Sequence, residues 1–460
     1  LGRGAFVSRY RAPAGDGETL IDPPTAAVPK WLSRNRAILD SATFAGRTLT
    51  VWRRAARDEL APHAGDRPLL LTGHQPELCH PGVWFKTFWL DRTAKLLDAA
   101  TLNLVVDTDD VKSLVIRVPR PHDDPARVRL DAVPFDVGPA SVPYEERPVH
   151  DPEAFRSFGE RTGIDPALWH EAVRHDGTLG ERFVHIRTIR EEAWGCVVPR
   201  LTVSRLSRSD SFREFATAVL ADLPKFAASF NRAVAAYRTR HRLASRTHPF
   251  PELRPGEAPF WEARGGERRP ARANADPLRL RPRALTLTLY SRLILGDGFV
   301  HGIGGGNYDE VTDDLIRDWL GLEPPTIQVV SGTFRLPFEP FLDADVAEAT
   351  RRLRDLSQNP QRHLGLASPH ARAMIDELAT WFTASTATKA ERRDRRQAID
   401  RLKGMLRIPL DGVRRDQEAA WAESSTRAAA NAILRRRDYA WVLFPESRLR
   451  ESMTRSPSDW

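Results

Sequence analysis

The sequence predicts an α/β fold around a Rossmann-like parallel sheet, and three observations point there. Leu69-Leu70-Leu71, a helical stripe over residues 82–97 and Leu102-Asn103-Leu104-Val105-Val106 make a strand–helix–strand unit with short joints. A second such signal starts at Gly298-Phe299-Val300-His301 and runs through glycines into a helical pattern. The 460 residues are 41% hydrophobic and 28% charged, with no run of 18 apolar residues, so a globular chain of two or three domains is expected and a membrane span is not.

Taken in order, residues 1–30 are rich in Pro, Gly and Asp and read as an irregular arm. Helical pieces broken near Gly46 follow, with Trp31, Ile38, Leu39, Val51, Trp52 and Leu60 apolar, so 1–64 is expected to pack on a core spanning 65–340. In the first core helix Phe85, Phe88, Trp89, Leu96 and Leu97 form the buried stripe, and Lys86, Asp91, Arg92 and Lys95 the polar face. An inserted region around 120–230 carries strands near Ser113–Val118 and Arg127–Val133 and helices over Asp151–Arg174 and Ser211–Phe230. Phe230–Arg283 reads as basic loop, with 13 Arg against 5 acidic residues and prolines throughout. Ala284–Leu289 is a helix start or a strand, Tyr308–Leu320 a helix with Tyr308, Val311, Leu315 and Trp319 on one face, and Ile327–Val330 a strand. Residues 341–437, rich in Ala, Arg, Glu and Leu, read as three or four helices broken at Pro360, Pro369 and Pro409, a helical hairpin or coiled-coil module without a sustained heptad. The apolar stretch Tyr439–Pro445 within a 438–460 tail is expected to dock back on the core.

Two cysteines, Cys79 and Cys196, cannot build a disulfide framework or a cysteine-rich zinc site, and no charged-then-apolar signal segment opens the chain, so a cytoplasmic setting is expected. The formal net charge is +8, and only 7 of the 69 basic residues are Lys. The positive charge is therefore carried by rigid guanidinium forks suited to phosphate and carboxylate. The 230–283 stretch supplies an excess equal to the whole net charge.

Three motifs carry chemistry. Thr72-Gly73-His74-Gln75-Pro76 through His80-Pro81-Gly82 joins the first strand to the first helix, where free backbone N–H groups and the dipole favour an anion. Gly73 permits close approach, and His74, Gln75 and His80 can donate to phosphate or carboxylate oxygens. Asp107-Thr108-Asp109-Asp110 places three carboxylates at the end of the second strand, fit for Mg²⁺, a ribose hydroxyl or general base work. It also matches the Asp-x-Asp-x-Val/Thr nucleophile pattern of haloacid-dehalogenase-like phosphatases and the looser Asp-x-Asp of glycosyltransferases. His301-Gly302-Ile303-Gly304-Gly305-Gly306-Asn307-Tyr308-Asp309 is a second glycine-rich turn without the third glycine of a dinucleotide fingerprint or a Walker Lys. Asp309, Glu310 and Asp313 are expected to crowd the following helix N-terminus and repel a phosphate, so the turn suits a sugar, an amine or adenine.

The order of these motifs resembles the bacillithiol biosynthesis cysteine-adding enzymes. Those proteins carry Thr-Gly-Gln-Gln…Gly-Pro after the first strand, here Thr72-Gly73-His74-Gln75 through Pro81-Gly82, and an acidic cluster after the next, here Asp107–Asp110. An Arg-Pro-x-x-Leu segment leads to a Gly-Gly-Pro-Gly-like turn, here Arg281-Pro282-Arg283-Ala284-Leu285 and Gly304-Gly305-Gly306-Asn307-Tyr308, with a helical module beyond. His74 stands for the first Gln, the acidic cluster lacks its His, and Gly306-Asn307 replaces Pro-Gly. The resemblance implies a core similar to class I aminoacyl-tRNA synthetases with insertions, a dimerising coiled coil, and a ligase joining the cysteine carboxylate to the amine of glucosaminyl-malate. It implies His74, Asp107 and Asp109 as catalytic, and Gly73, Gln75, His80, Asp110, Arg281, His301, Gly304, Gly305, Gly306, Asn307 and Tyr308 as substrate or nucleotide contacts. ATP or ADP with Mg²⁺ would be the cofactors and no metal would be resident. The partners would be small molecules, with a homodimer through the helical module and neither membrane nor nucleic acid. Two alternatives remain at this point: a Mg²⁺-dependent phosphotransfer or phosphohydrolase enzyme using Asp107 and Asp109, and an RNA-binding protein using the arginines of 238–283.

Overall fold

Six short strands make the central sheet of the first of two units in the computed structural model, which describes residues 10–139, 141–364 and 369–455. They are β1 (Thr19–Asp22), β2 (Leu69–His74), β3 (Ala100–Val105), β4 (Arg200–Thr202), β5 (Gly298–His301) and β6 (Gln328–Gly332). Their spatial order is β1-β6-β5-β2-β3-β4. All neighbours pair in parallel except β1, which runs antiparallel to β6 at the edge. The leucines of β2 and β3 are buried, as strands covered on both faces require. Among the parallel strands the earliest, β2, is central, and the chain winds outward first to β3 and β4, then to β5 and β6. This is the doubly wound order, and it reverses between β2 and β5, which opens a crevice at their carboxyl ends.

β1 corrects the expectation of a wholly irregular arm: residues 19–22 complete the sheet edge, while residues 1–9 lie outside the described residues. The helices Val28–Ser41 and Leu49–Leu60 cover the sheet, with the Trp52 ring tilted against Phe44 at 5.4 Å. Of the apolar positions named in these helices, Val51 is exposed.

Helix α1 (Pro81–Leu96) follows β2 and departs from the expected two-faced pattern. Trp84, Phe85, Phe88 and Trp89 are buried, but so are Lys86 and Asp91, while Leu96 is 68% exposed. The reason is cover on the face assigned to solvent. Trp84 lies 5.2 Å from Trp194 and 4.6 Å from Trp441, whose backbone N–H donates to the Cys79 carbonyl at 2.9 Å. The C-terminal segment thus closes over α1.

Between β3 and β4 the expected helix Asp151–Arg174 is two, Pro152–Thr162 and Pro166–Arg174, separated by Gly163 in the left-handed region. A further helix, Leu179–Ala193, opens with a capping box between Thr178 and Glu181. Ser211–Phe230 is likewise two helices, Asp210–Ala221 and Leu223–Arg240. The segment expected as basic loop instead forms a three-stranded antiparallel sheet of Glu257–Arg264, Glu267–Arg272 and Leu280–Pro282, turned at Gly265-Gly266, both at positive φ. Nine of its 13 arginines (Arg232, Arg238, Arg240, Arg264, Arg268, Arg269, Arg279, Arg281 and Arg283) pair with carboxylates. Arg238, Arg268, Arg281 and Arg283 are turned inward in these pairs, whereas Arg232, Arg240, Arg264, Arg269 and Arg279 pair at the surface.

Two more helices frame the crevice, α2 (Ala284–Tyr290) and α3 (Ile303–Leu315). Each continues into a π-helical turn, at Ser291–Leu295 and Ile316–Leu320. Gly304–Gly306, expected in a loop, are the first turn of α3.

The second unit comprises Pro119–Asp131 and Pro337–Arg436. Among its described residues are the α-helices α4 (Val346–Gln358), α5 (Pro369–Thr383), α6 (Lys389–Arg407) and α7 (Asp411–Leu434), in which α4 packs on α7 and α5 on α6. Its small core includes Met374, Leu378, Leu402 and Leu406. No helix among the described residues is long and apolar enough to cross a membrane.

Candidate functional site

A cavity of about 730 Å³ lies in the first unit at the β2/β5 crevice. Both strands end in a histidine, His74 and His301, and both feed a helix N-terminus, α1 and α3. The reversal of winding separates the two helices and leaves room between them.

The two N-termini differ as anion sites. At α1 the first residue is Pro81, which has no N–H, and the His80 Nδ1 accepts from the Gly82 N–H at 3.1 Å. At α3 no side chain caps the start, the first turn carries no acid, and Ile303, Gly304 and Gly305 line the cavity. Their N–H groups have no partner within the helix. A Cβ on Gly302 or Gly304 would meet nothing within 4 Å, so these positions are open to a ligand. The expected crowding by acids is overturned, because the helix begins at 303 and Asp309, Glu310 and Asp313 fall in later turns. Asp309 is buried, 2.7 Å from Arg292 and 3.2 Å from His301 Nε2. Burial would raise its carboxyl, but Arg292 and His301 hold it down at about 2.

Of the residues singled out from sequence, Gly73, His74, Gln75, His80, Asp109, His301, Gly304, Gly305 and Tyr308 line this one cavity. His74 Nδ1 lies 3.0 Å from the Gln75 carbonyl. A carbonyl only accepts, so Nδ1 carries the hydrogen and Nε2 keeps its lone pair. Burial and nearby Lys86 hold His74 well below the usual histidine range, and burial brings His80 to about 4, so both are neutral near pH 7. Asp109 accepts from Gln75 at 2.7 Å and from Arg268 at 2.7 Å.

Five other residues are turned to structural tasks and do not line the cavity. Asp107 is 8% exposed, with one oxygen accepting from the Ser204 N–H at 2.9 Å and the other from the Ser204 hydroxyl. A nucleophile must reach its substrate, so this placement speaks against Asp107 as the attacking group. Asp110 pairs with Arg268 at 3.0 Å and Arg281 with Glu145 at 2.9 Å. Gly306 faces β6, where a Cβ would come within 2.3 Å of Val329. Asn307 accepts from the Tyr10 N–H at 2.9 Å and returns a bond to the Tyr10 carbonyl, which fastens the N-terminal segment beside the cavity.

Sequence reasoning missed Arg11, Lys86, Lys112 and Arg437, which bring cationic side chains to the wall, and Thr288 and Ser331, which bring hydroxyls. Lys86 lies one turn beyond Gly82 on a helix that starts at the crevice, which is the signal that could have found it. Lys112 stands two residues after Asp110, whereas Arg11 and Arg437 come from distant parts of the chain.

These residues fit a nucleotide: an open helix N-terminus without Cβ atoms at Gly302 and Gly304, and cations around it. Among the described residues no three His, Cys, Asp or Glu side chains converge as a metal shell. A phosphate-bound Mg²⁺ needs one or two protein carboxylates, and the one on this wall, Asp109, has its two oxygens engaged by Gln75 and Arg268.

No family model matches the sequence, and no curated protein does. Among solved structures the chain is similar to tyrosyl-tRNA synthetase from Aeropyrum pernix, at 11% identity over 84% of this chain and 98% of that one, with a TM-score of 0.25. It is also similar to tryptophanyl-tRNA synthetase from Plasmodium falciparum (7%, 88% and 94%, TM-score 0.26). A third similarity is to tyrosyl-tRNA synthetase from Archaeoglobus fulgidus (11%, 85% and 99%, TM-score 0.23). The strand order and the cavity stand independently of these similarities.

Burial pushes the Asp107 carboxyl up to about 6 even though Ser204 bonds favour its charged form. The folded state therefore holds a proton between about pH 4 and 6 that the unfolded chain releases, so stability falls as pH rises through that window. Asp107→Asn is expected to flatten this decline by about 2–3 kcal/mol in urea melts across the window. A variant curve as steep as that of the unaltered protein would assign the titration to another group.

Proposed function

We propose that the protein is a carbon–nitrogen ligase that activates a carboxylate and joins it to a small amine at the β2/β5 crevice. The observation that carries the reading is the convergence of the open α3 N-terminus, His74, Asp109 and four cationic side chains on one cavity. In its narrow form the reaction is the one the resemblance implies, cysteine joined to glucosaminyl-malate, on a synthetase-like core.

The α3 N–H groups and the surrounding cations hold and orient anionic oxygens. Asp109 offers a carboxylate to the ammonium of the incoming amino acid. His74 Nε2, with its lone pair kept free by the Nδ1–H bond to Gln75, takes the proton that the attacking amine sheds as the C–N bond forms. ATP, when bound, supplies the activation that turns a carboxylate oxygen into a leaving group. Tyr10, Arg11 and Ala12 stand on the cavity wall.

Incubation with cysteine, glucosaminyl-malate and ATP should give the amide by mass spectrometry, dependent on ATP. No amide across related amino acids and amines would end the ligase reading.

A further inference from the structure

Lys86 is 4% exposed, yet its ammonium has one hydrogen-bond partner, the Gly73 carbonyl at the end of β2. An ammonium carries three donors, so two are left for the cavity it lines. Among the described residues no carboxylate pairs with it. The titratable groups around it are His74 on β2, Cys79 in the turn and Arg187 on the helix Leu179–Ala193. None supplies a negative charge. Burial holds the Cys79 thiol up at about 11, His74 is neutral, and Arg187 faces Glu191 at 3.5 Å. A buried cation without a counter-ion is costly, and such a group either sheds its proton or waits for an anion.

We infer that Lys86 is the cation that anchors an oxyanion of the substrate, a carboxylate or a phosphate, at the mouth of β2. The inference rests on the ligase reading for its substrates but not for its chemistry. Asp91 cannot compete for the role of counter-ion, since Lys95 occupies it at 2.6 Å. Burial brings Lys86 itself down to about 8, so the empty site is part neutral in mildly alkaline solution. An arriving anion favours the charged form, and binding there must take up a proton.

The test is titration calorimetry with inorganic pyrophosphate, AMP and cysteine, near pH 7 and near pH 9, in buffers of different ionisation enthalpy. The unaltered protein should take up protons on binding near pH 9 and far fewer near pH 7. Lys86→Met should lose about tenfold or more in affinity for the anchored probe and lose the proton uptake. Lys86→Arg should keep much of the affinity but not the uptake, because a guanidinium stays charged throughout. Loss confined to pyrophosphate and AMP places a phosphate on Lys86, and loss confined to cysteine places the carboxylate there. Circular dichroism checks folding, and the proton uptake of the unaltered protein stands without any variant. Binding of all three probes without proton uptake, no binding of any, or unchanged affinity and uptake in Lys86→Met would overturn the assignment. Proton-linked binding with no amide formed would leave Lys86 in place and remove the ligase reading. Amide formation at the unaltered rate by Lys86→Met would do the reverse.

Discussion

Asp297→Asn is expected to destabilise the first unit by about 3–5 kcal/mol, a large part of a typical folding free energy of about 5–15 kcal/mol. Asp297 sits between the π-helical turn and β5, and its side chain is nearly inaccessible. One carboxylate oxygen binds Arg53, and the other binds Arg57 at 2.6 Å and accepts from the Leu69 N–H at 2.7 Å. Its backbone joins in as well, with the carbonyl accepting from Asn35 and the N–H donating to the Leu69 carbonyl. One residue thus ties the helices Val28–Ser41 and Leu49–Leu60 to the start of β2 and β5. Arg53 is so well buried that its guanidinium is brought down to about 10 even with Asp297 beside it. Removing the negative charge leaves two arginines facing each other in a poorly solvated space. The midpoint of urea denaturation should fall with little change in slope. A loss below about 1 kcal/mol would mean that solvent reaches the guanidinium groups and that the pair is worth no more than a surface one.

The second large effect lies in the glycine turn, where neighbouring positions should respond in opposite ways. Gly304→Leu places a side chain in open space inside the cavity, at a helical position where leaving glycine gains up to about 1 kcal/mol. Thermal stability should hold or rise, while AMP binding falls by about a hundredfold or more because the ligand's place is taken. Gly306→Ala drives a Cβ to 2.3 Å from Val329 on β6 and 3.3 Å from Tyr10, in a packed interior. It should cost about 1–3 kcal/mol through overpacking. AMP binding that survives Gly304→Leu intact would show that the nucleotide does not use the α3 N-terminus.

Much of the sheet was legible because its strands are short apolar runs ending in turn residues. Leu69–Leu71, Leu102–Val106 and Ile327–Val330 need no tertiary information to be read as strands, and the spacing between the first two requires a helix and hence a parallel pair. The basic segment was misread for a physical reason. Its strands carry Pro259, Pro270 and Pro282 and mix charged residues into every one, so they show little of the apolar alternation on which strand reading depends. They are held by pairing, by Gly265-Gly266, and by Trp261 lying under the guanidinium groups of Arg268 and Arg283 at 4.8 and 4.3 Å. The helix Leu179–Ala193 is marked in the sequence by the Thr178–Glu181 capping box.

The site divides along the same line. That two strand ends carry histidine and glycine before helices is plain from the residues alone, because βα turns are local structures. So is the acidic group that follows β3. The residues alone do not determine which of those side chains face the ligand. Asp107 and Asp109 are two residues apart at a strand end, yet one is capped by Ser204 and the other lines the cavity. That choice depends on β4 arriving beside β3, some hundred residues later. Only the tertiary structure turned Lys86 from an outward polar position into a buried cation. Helical periodicity reports two faces, and it cannot tell that the C-terminal segment and the helix Leu179–Ala193 return to cover the second one.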